Sequence, residues 1–271
     1  MKATLITGAS SGIGAVFARR LAARGENVVL VARSAERLNA LCNELGRAHG
    51  NIQAQAVALD LSEGNAPQRL LAETNERGLE IETLINNAGF GSMGEFAALD
   101  LQRELSMIDL NIKALVALTQ LYLAPMRERK RGAIINVAST AAFQPVPYMA
   151  TYAATKAFVL SFSEALWEEN RARGIKIMAL CPGVTETNFF DAAQMTHPPM
   201  RIAQTPEAVV DTALSALERG RSHVISGWVN YLQTEAERLL PRSVITRIAG
   251  SAIRSSMKPT GANGKHLPPS K

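Results

Sequence analysis

Cysteine is scarce: Cys42 and Cys181 are the only two in 271 residues, and no metal-ligand or redox spacing joins them. A disulfide framework is therefore not expected, and a reducing cytoplasm is the simplest compartment. No continuous apolar run reaches the length of a membrane span. The opening MKATLITGASSGIG lacks the cleavable apolar core of a signal peptide. Internal repeats and low-complexity linkers are also missing, which argues for one domain. The net charge of +5 suggests nucleic acid at first sight, but its position argues against that partner. From Pro241 to Lys271 there are three Arg, three Lys and no acid, whereas the other 240 residues hold 23 bases and 24 acids. A duplex-binding domain would carry its basic face on the folded body.

What is present is a strict alternation of short apolar runs and helical segments. Strands are expected at Ala3–Thr7, Asn27–Ala32, Ile52–Leu59, Thr83–Asn86, Ala133–Ala138, Ile175–Leu180 and Ser222–Ile225. Helices are expected at Gly12–Arg24, Ala35–Ala48, Ala66–Arg77, Gln102–Arg129, Thr151–Arg173 and Pro206–Arg219. Runs that are apolar on both sides suit strands covered on two faces, and the alternation points to a parallel, doubly wound α/β sheet of about seven strands. Residues 1–240 form this domain, including a long connection at Thr185–Gln204 that has the character of a substrate lid. A basic amphipathic helix is expected over 241–257, with Val244, Ile245, Ile248, Ala249, Ala252 and Ile253 on one face. Ser243, Thr246, Arg247, Gly250 and Arg254 fall on the other. Residues 258–271 are expected to fray.

Chemistry enters at strand ends. Thr7-Gly8-Ala9-Ser10-Ser11-Gly12-Ile13-Gly14 joins the first strand to the first helix. Glycines there let backbone approach a phosphate, and the helix N-terminus offers N–H donors. This strand–turn–helix setting is what a Rossmann-type dinucleotide site requires. At the end of the second strand no acid is available to bind a ribose 2′-hydroxyl. Arg33 stands there and Arg37 follows one turn later, a pair suited to a 2′-phosphate, although a solvated arginine at a strand end would look the same. Tyr152 and Lys156 share a helical face, where an ammonium favours the phenolate and lowers a phenol pKa from about 10. Alone, that pair is common. Ser139 follows a buried-looking strand at the carboxyl edge, as do Asn86-Asn87-Ala88-Gly89 and Cys181-Pro182-Gly183-Val184-Thr185-Glu186-Thr187, so all these signals share one edge.

With TGASSGIG, Asp60-Leu61, NNAG, Asn111, Ser139, YAATK and PGVTET in order, the chain resembles the short-chain dehydrogenase/reductase family over about Met1 to Gly227. Ser139 and Tyr152 are thirteen positions apart, as that family's pattern has it. The resemblance implies an NADP(H)-dependent oxidoreductase acting on CH–OH or C=O groups. Tyr152 would be the general acid, Lys156 would lower its pKa and bind the nicotinamide ribose, Ser139 would polarise the carbonyl, and Asn111 would hold a relay water. Asp60 and Leu61 would contact adenine, Asn87 the adenosine side, and Val184 to Thr187, Thr185 included, the nicotinamide amide, with Ala88, Gly89, Pro182 and Gly183 also binding the cofactor. The Ala32-Arg33 pair resembles the NADP-preferring branch, and the family favours homodimers or homotetramers.

Simpler readings stand beside several of these. Asn111 could merely interrupt its helix, and Asn87 could serve a turn. His197 reads as a loop residue, His223 as strand-end packing, and Cys181 as a small apolar residue. Phe143–Met149 reads as pocket lining or as a plain helix entry. A catalytically quiet NADP(H)-binding sensor or scaffold is the rival function, and an intact Ser–Tyr–Lys set argues against it. The basic helix fits packing on the domain or on a neighbour better than contact with an anionic membrane. Membrane contact would make a lipid-like substrate more attractive.

Overall fold

The structure, a computed structural model, describes residues 1–187, 189 and 203–256. Its strands are β1 (Lys2–Thr7), β2 (Val28–Ala32), β3 (Ala54–Ala58), β4 (Glu80–Asn86), β5 (Gly132–Val137), β6 (Ile175–Cys181) and β7 (His223–Ile225). They form one seven-stranded sheet in the order β3-β2-β1-β4-β5-β6-β7, with every pairing parallel. Six helices accompany the strands: α1 (Gly12–Ala23), α2 (Ala35–Ala48), α3 (Ala66–Glu76), α4 (Leu101–Ile108), α5 (Leu115–Glu128) and α6 (Ala150–Arg171). Beyond β6 come α7 (Pro206–Glu218), α8 (Trp228–Glu237) and α9 (Arg242–Ser256). The expected doubly wound α/β fold is the one found.

Alternation along each strand splits the core in two. Ile6 and Leu30 face Phe17, Leu21, Leu38, Val209 and Val210, so α1, α2 and α7 cover one side. Leu5, Val29 and Leu84 face Leu70, Leu118, Tyr122 and Met126, so α3 and α5 cover the other. Burying each such side chain contributes about 1.5–3 kcal/mol, enough to define both faces without polar help. Side-chain caps start several helices: Ser34 accepts from the Arg37 N–H at 3.4 Å, Asp100 from the Arg103 N–H at 2.7 Å, and Thr205 from the Ala208 N–H at 3.3 Å.

Three elements depart from the sequence expectations. The segment foreseen as one helix, Gln102–Arg129, is α4 and α5 joined through a π-helical stretch at Asp109–Ala114. One extra residue per turn there swings Asn111 inward. The helical stretch Leu101–Glu128, though interrupted by charges, is long and apolar enough by length and composition to cross a membrane, yet Leu118, Tyr122, Leu123 and Met126 pack into the sheet core. Helix α8 was not anticipated. The C-terminal helix spans Arg242–Ser256, with its inner side set by Ile245 and Gly250, while Val244 and Ile248 are exposed. The interior of the expected lid, 188 and 190–202, His197 included, and the tail 258–271 lie outside the described residues.

Candidate active site

The sheet order changes direction between β1 and β4, which opens a crevice at their carboxyl ends. Thr7 braces its two walls. Its hydroxyl donates to the Ile85 carbonyl at 3.2 Å and accepts from the N–H groups of Asn87 and Ala88 at 2.9 and 3.0 Å. The Asn87 amide in turn donates to the carbonyls of Thr7 and Gly8. Gly8 and Gly12 have φ of +66° and +54°, values that favour glycine. A Cβ on Gly8 would sit 2.8 Å from the Asn87 amide nitrogen. Gly14 serves packing instead, because a Cβ there would strike the Gly8 carbonyl.

A cleft of about 1020 Å³ runs from this turn along the sheet edge. Gly8, Ser10, Ser11, Gly12 and Ile13 line one end, with Arg33, Arg37, Asp60 and Leu61 beside them. Asn87, Ala88 and Gly89 form the middle. Ser139, Tyr152, Lys156, Pro182, Gly183, Val184, Thr185 and Thr187 line the far end. Of the anticipated residues, Gly14 and Asn111 stand behind the lining and not on it. Arg33 approaches Asp60 at 4.0 Å. Burial opposes ionisation of Asp60, but hydrogen bonds from the Ser62 hydroxyl and N–H, with help from Arg33, hold its carboxyl below the usual range.

Ser139, Tyr152 and Lys156 come from two elements. Ser139 closes β5, and its hydroxyl accepts from the Ala141 N–H at 3.1 Å, which fixes the following turn. Tyr152 and Lys156 both project from α6 and are buried. The Ser139 hydroxyl is near enough to the phenol to favour its ionised form. Lys156 donates to the Val137 carbonyl at 2.8 Å and lies 5.7 Å from the Tyr152 ring centroid. The expected acidification of the phenol is not found. Burial pushes Tyr152 up to about 12, against a smaller opposite pull from Ser139. Burial also draws Lys156 down to about 8. Removing both groups from water outweighs their mutual influence at this separation.

Several supporting residues carry little signal in sequence. Asn136, inside the apolar β5, accepts from the Asn86 amide at 2.9 Å and donates to Ser163 of α6 at 2.9 Å. Asn86 also donates to Thr119 of α5, so a buried polar chain ties α6 to the sheet beneath the site. An asparagine in an otherwise apolar strand was the only clue. Asn111 donates to the Phe90 carbonyl at 3.0 Å and to Thr155 at 3.1 Å, and accepts from the Phe90 N–H at 3.2 Å. Its side chain therefore locks the post-β4 loop to α6, which is more than a helix interruption.

Above Tyr152 the wall is apolar: Phe90, Met93, Met107, Val146, Met149 and Phe189 cluster with its ring, and Phe189 lies 5.4 Å away centroid to centroid. The 143–149 segment is divided. Met149 lines the cleft, whereas Phe143 faces His223, 6.1 Å between rings. His223 contacts Glu164 at 2.9 Å, at a strand end as expected. Tyr148 adopts a φ of +66°, rare for a tyrosine, held by the Gly94 N–H on its carbonyl at 2.9 Å. Arg254 of α9 donates to the Tyr148 hydroxyl at 2.8 Å, and Gly250 packs on Pro147. The C-terminal helix thus reaches the loop that leads into α6. Thr185 and Gln204 bridge, so the ends of the expected lid are paired. Cys181 is buried, and burial pushes its thiol up, as suits an inert apolar position. Among the described residues no three His, Cys, Asp or Glu side chains gather as metal ligands.

The donor set fits a dinucleotide. Ser11 makes no capping bond from its side chain, which leaves the first amides of α1 directed at the glycine turn. A glycine-lined cleft at the switch point of a parallel sheet, with hydroxyl, phenol and ammonium at its far end, defines a class of nicotinamide-dependent oxidoreductases. A model of the short-chain dehydrogenase family matches residues 2–197, and the chain belongs to that family. It is 33% identical over 225 residues to a ketoacyl reductase, HetN, of Nostoc sp., covering 83% of this chain and 78% of that one. A very-long-chain 3-oxoacyl-CoA reductase of Macaca fascicularis is 33% identical over 235 residues, covering 83% and 73%. Among solved structures, a 7β-hydroxysteroid dehydrogenase superposes with a TM-score of 0.84 at 29% identity, over 92% of this chain and 96% of that one. A short-chain dehydrogenase of Sphingobium yanoikuyae in complex with NADPH superposes with a TM-score of 0.79 at 31% identity, over 98% and 100%.

Proposed function

We propose that the chain is an NADP(H)-dependent reductase of a carbonyl group on an apolar substrate, with 3-oxoacyl thioesters the first class to test. The observation that carries this reading is the convergence of Ser139, Tyr152 and Lys156 on the cleft that also holds the glycine turn. A bound reduced nicotinamide would supply the hydride. Ser10, Ser11, Gly12 and Ile13, with the α1 amides, would hold the pyrophosphate, and Lys156 the nicotinamide ribose. Arg33 and Arg37 would take the 2′-phosphate, since both line the same end of the cleft and no acid competes there except the partly shielded Asp60.

Tyr152 would give its proton to the carbonyl oxygen while Ser139 donates a hydrogen bond to the same atom. Burial keeps the phenol protonated across the neutral range, so the proton to be transferred is in place on Tyr152. The wall of Phe90, Met93, Met149 and Phe189 favours an acyl or sterol-like skeleton over a sugar. The names of the curated relatives support the acyl class. The functional form is proposed as a homodimer or homotetramer, to be checked by light scattering.

The deciding assay follows NADPH consumption with 3-oxoacyl thioesters, ketosteroids and aldehydes, using wild type and Tyr152→Phe. Turnover of one class by the wild type is expected, with the variant reduced about 10²–10⁴-fold while still binding NADPH. Binding without wild-type turnover across the panel would favour a sensor or scaffold.

A further inference from the structure

Helix α8 is unusual in what it hides and what it shows. Of its large residues, Trp228, Tyr231 and Leu232 recur at helical spacing and are exposed, Trp228 by 74%. The buried position on α8 is Thr234, and Asn230 turns inward to donate to the Ser226 carbonyl at 2.7 Å. Leu239, which is 86% exposed, and Leu240 follow α8 directly, and Ile248 is exposed on α9. Scattered exposed apolar residues are ordinary on protein surfaces, but a run of this kind along two consecutive helices marks an interaction face.

The charge beside it narrows the occupant. Arg242 and Arg247 lie exposed on α9, within the C-terminal stretch that carries six basic residues and no acid. Of the acids of α8, Glu235 pairs with Arg238 at 3.1 Å, while Glu237 accepts from the neutral Gln233 amide at 2.9 Å and keeps its charge. We infer that the outer face of α8 and α9 docks on an anionic lipid surface. Trp and Tyr suit the boundary between headgroups and acyl chains, leucines enter it, and arginines meet the phosphates. A second copy of the chain fits this face less well. A second copy would have to bury Arg242 and Arg247 away from water, which an anionic lipid surface does not require. The inner side of α9 meets Pro147 and Tyr148, so docking holds the loop before Tyr152 near the lipid. The inference goes beyond the reaction assigned above and does not require it.

Sedimentation of the full-length protein with vesicles tests it. Vesicles of phosphatidylcholine alone are compared with vesicles containing about one third phosphatidylserine, at low and high salt. Wild type is expected to sediment with the anionic vesicles, less with the neutral ones, and less as salt rises. Arg242→Glu with Arg247→Glu, and separately Leu239→Glu with Leu240→Glu, are each expected to weaken binding about tenfold or more. All four positions are exposed, and unchanged circular dichroism and melting temperature establish that the variants fold. Failure of wild type to sediment with anionic vesicles overturns the inference, as does equal binding by the leucine variant. It is also overturned if light scattering shows a dimer that the leucine substitutions dissociate, because a second copy then covers the face.

Discussion

Burial and charge oppose each other at Lys156. Below pH 8 the folded protein must hold an ammonium that the unfolded chain keeps in water, so this side chain weakens the fold there. Between the folded value of about 8 and the ordinary 10.5 the unfolded chain binds the proton and the folded one does not. The lysine's penalty therefore fades as pH rises through that window. Lys156→Met is expected to be more stable than wild type near pH ~7 by about 2 kcal/mol, with the gap closing toward pH ~10, and to lose turnover. Urea melts of both proteins at the two pH values check this, since the difference between them cancels the other titrating groups. At the other end of the cleft, Ala32→Asp with Arg33→Ala is expected to shift preference from NADPH to NADH by about tenfold or more, read as the ratio of kcat/KM values. An unchanged ratio would remove Arg33 from the phosphate site.

At the scale of elements, the π-helical stretch at Asp109–Ala114 is what carries Asn111 between the post-β4 loop and α6. Asn111→Ala strips partners from the partly buried Phe90 backbone and the buried Thr155 hydroxyl, and is expected to destabilise the fold by about 1–3 kcal/mol in chemical denaturation. A larger relative fall in kcat than in NADPH affinity is expected, because the loop it holds supports the Tyr152 end of the cleft. Neither the π turn nor this bracing was legible in sequence: hydropathy marks Leu101–Glu128 as apolar and helical, and a single wide turn leaves no composition behind. The strands were legible because both of their faces are buried and read as continuous apolar runs. Helix α8 was not, since its exposed face is apolar and its buried position polar, the reverse of the amphipathic pattern.

On the scale of the whole molecule, the C-terminal helix packs back onto the loop that precedes α6. Deleting residues 241–271 removes Arg254 from Tyr148 and Gly250 from Pro147. The strained Tyr148 then relies on the Gly94 contact to hold its backbone. KM for an apolar substrate is expected to rise several-fold while NADPH affinity is kept, measured by steady-state kinetics and by fluorescence titration of the cofactor.

The order of Gly8–Gly14, Asn87–Gly89, Ser139, Tyr152-Lys156 and Pro182–Thr187 along the chain was enough to specify the parallel fold and the kind of chemistry. Each motif needs only local backbone geometry and residue type, and those are written in adjacent positions. The direction of the Tyr152 and Lys156 shifts, the polar chain through Asn86, Asn136 and Ser163, and the seating of α9 on Pro147 and Tyr148 were decided only in three dimensions. Protonation depends on how much water folding removes from around a group, and packing on which distant segments arrive beside it. Both are sums over contacts between residues far apart in the chain, and no local pattern carries them.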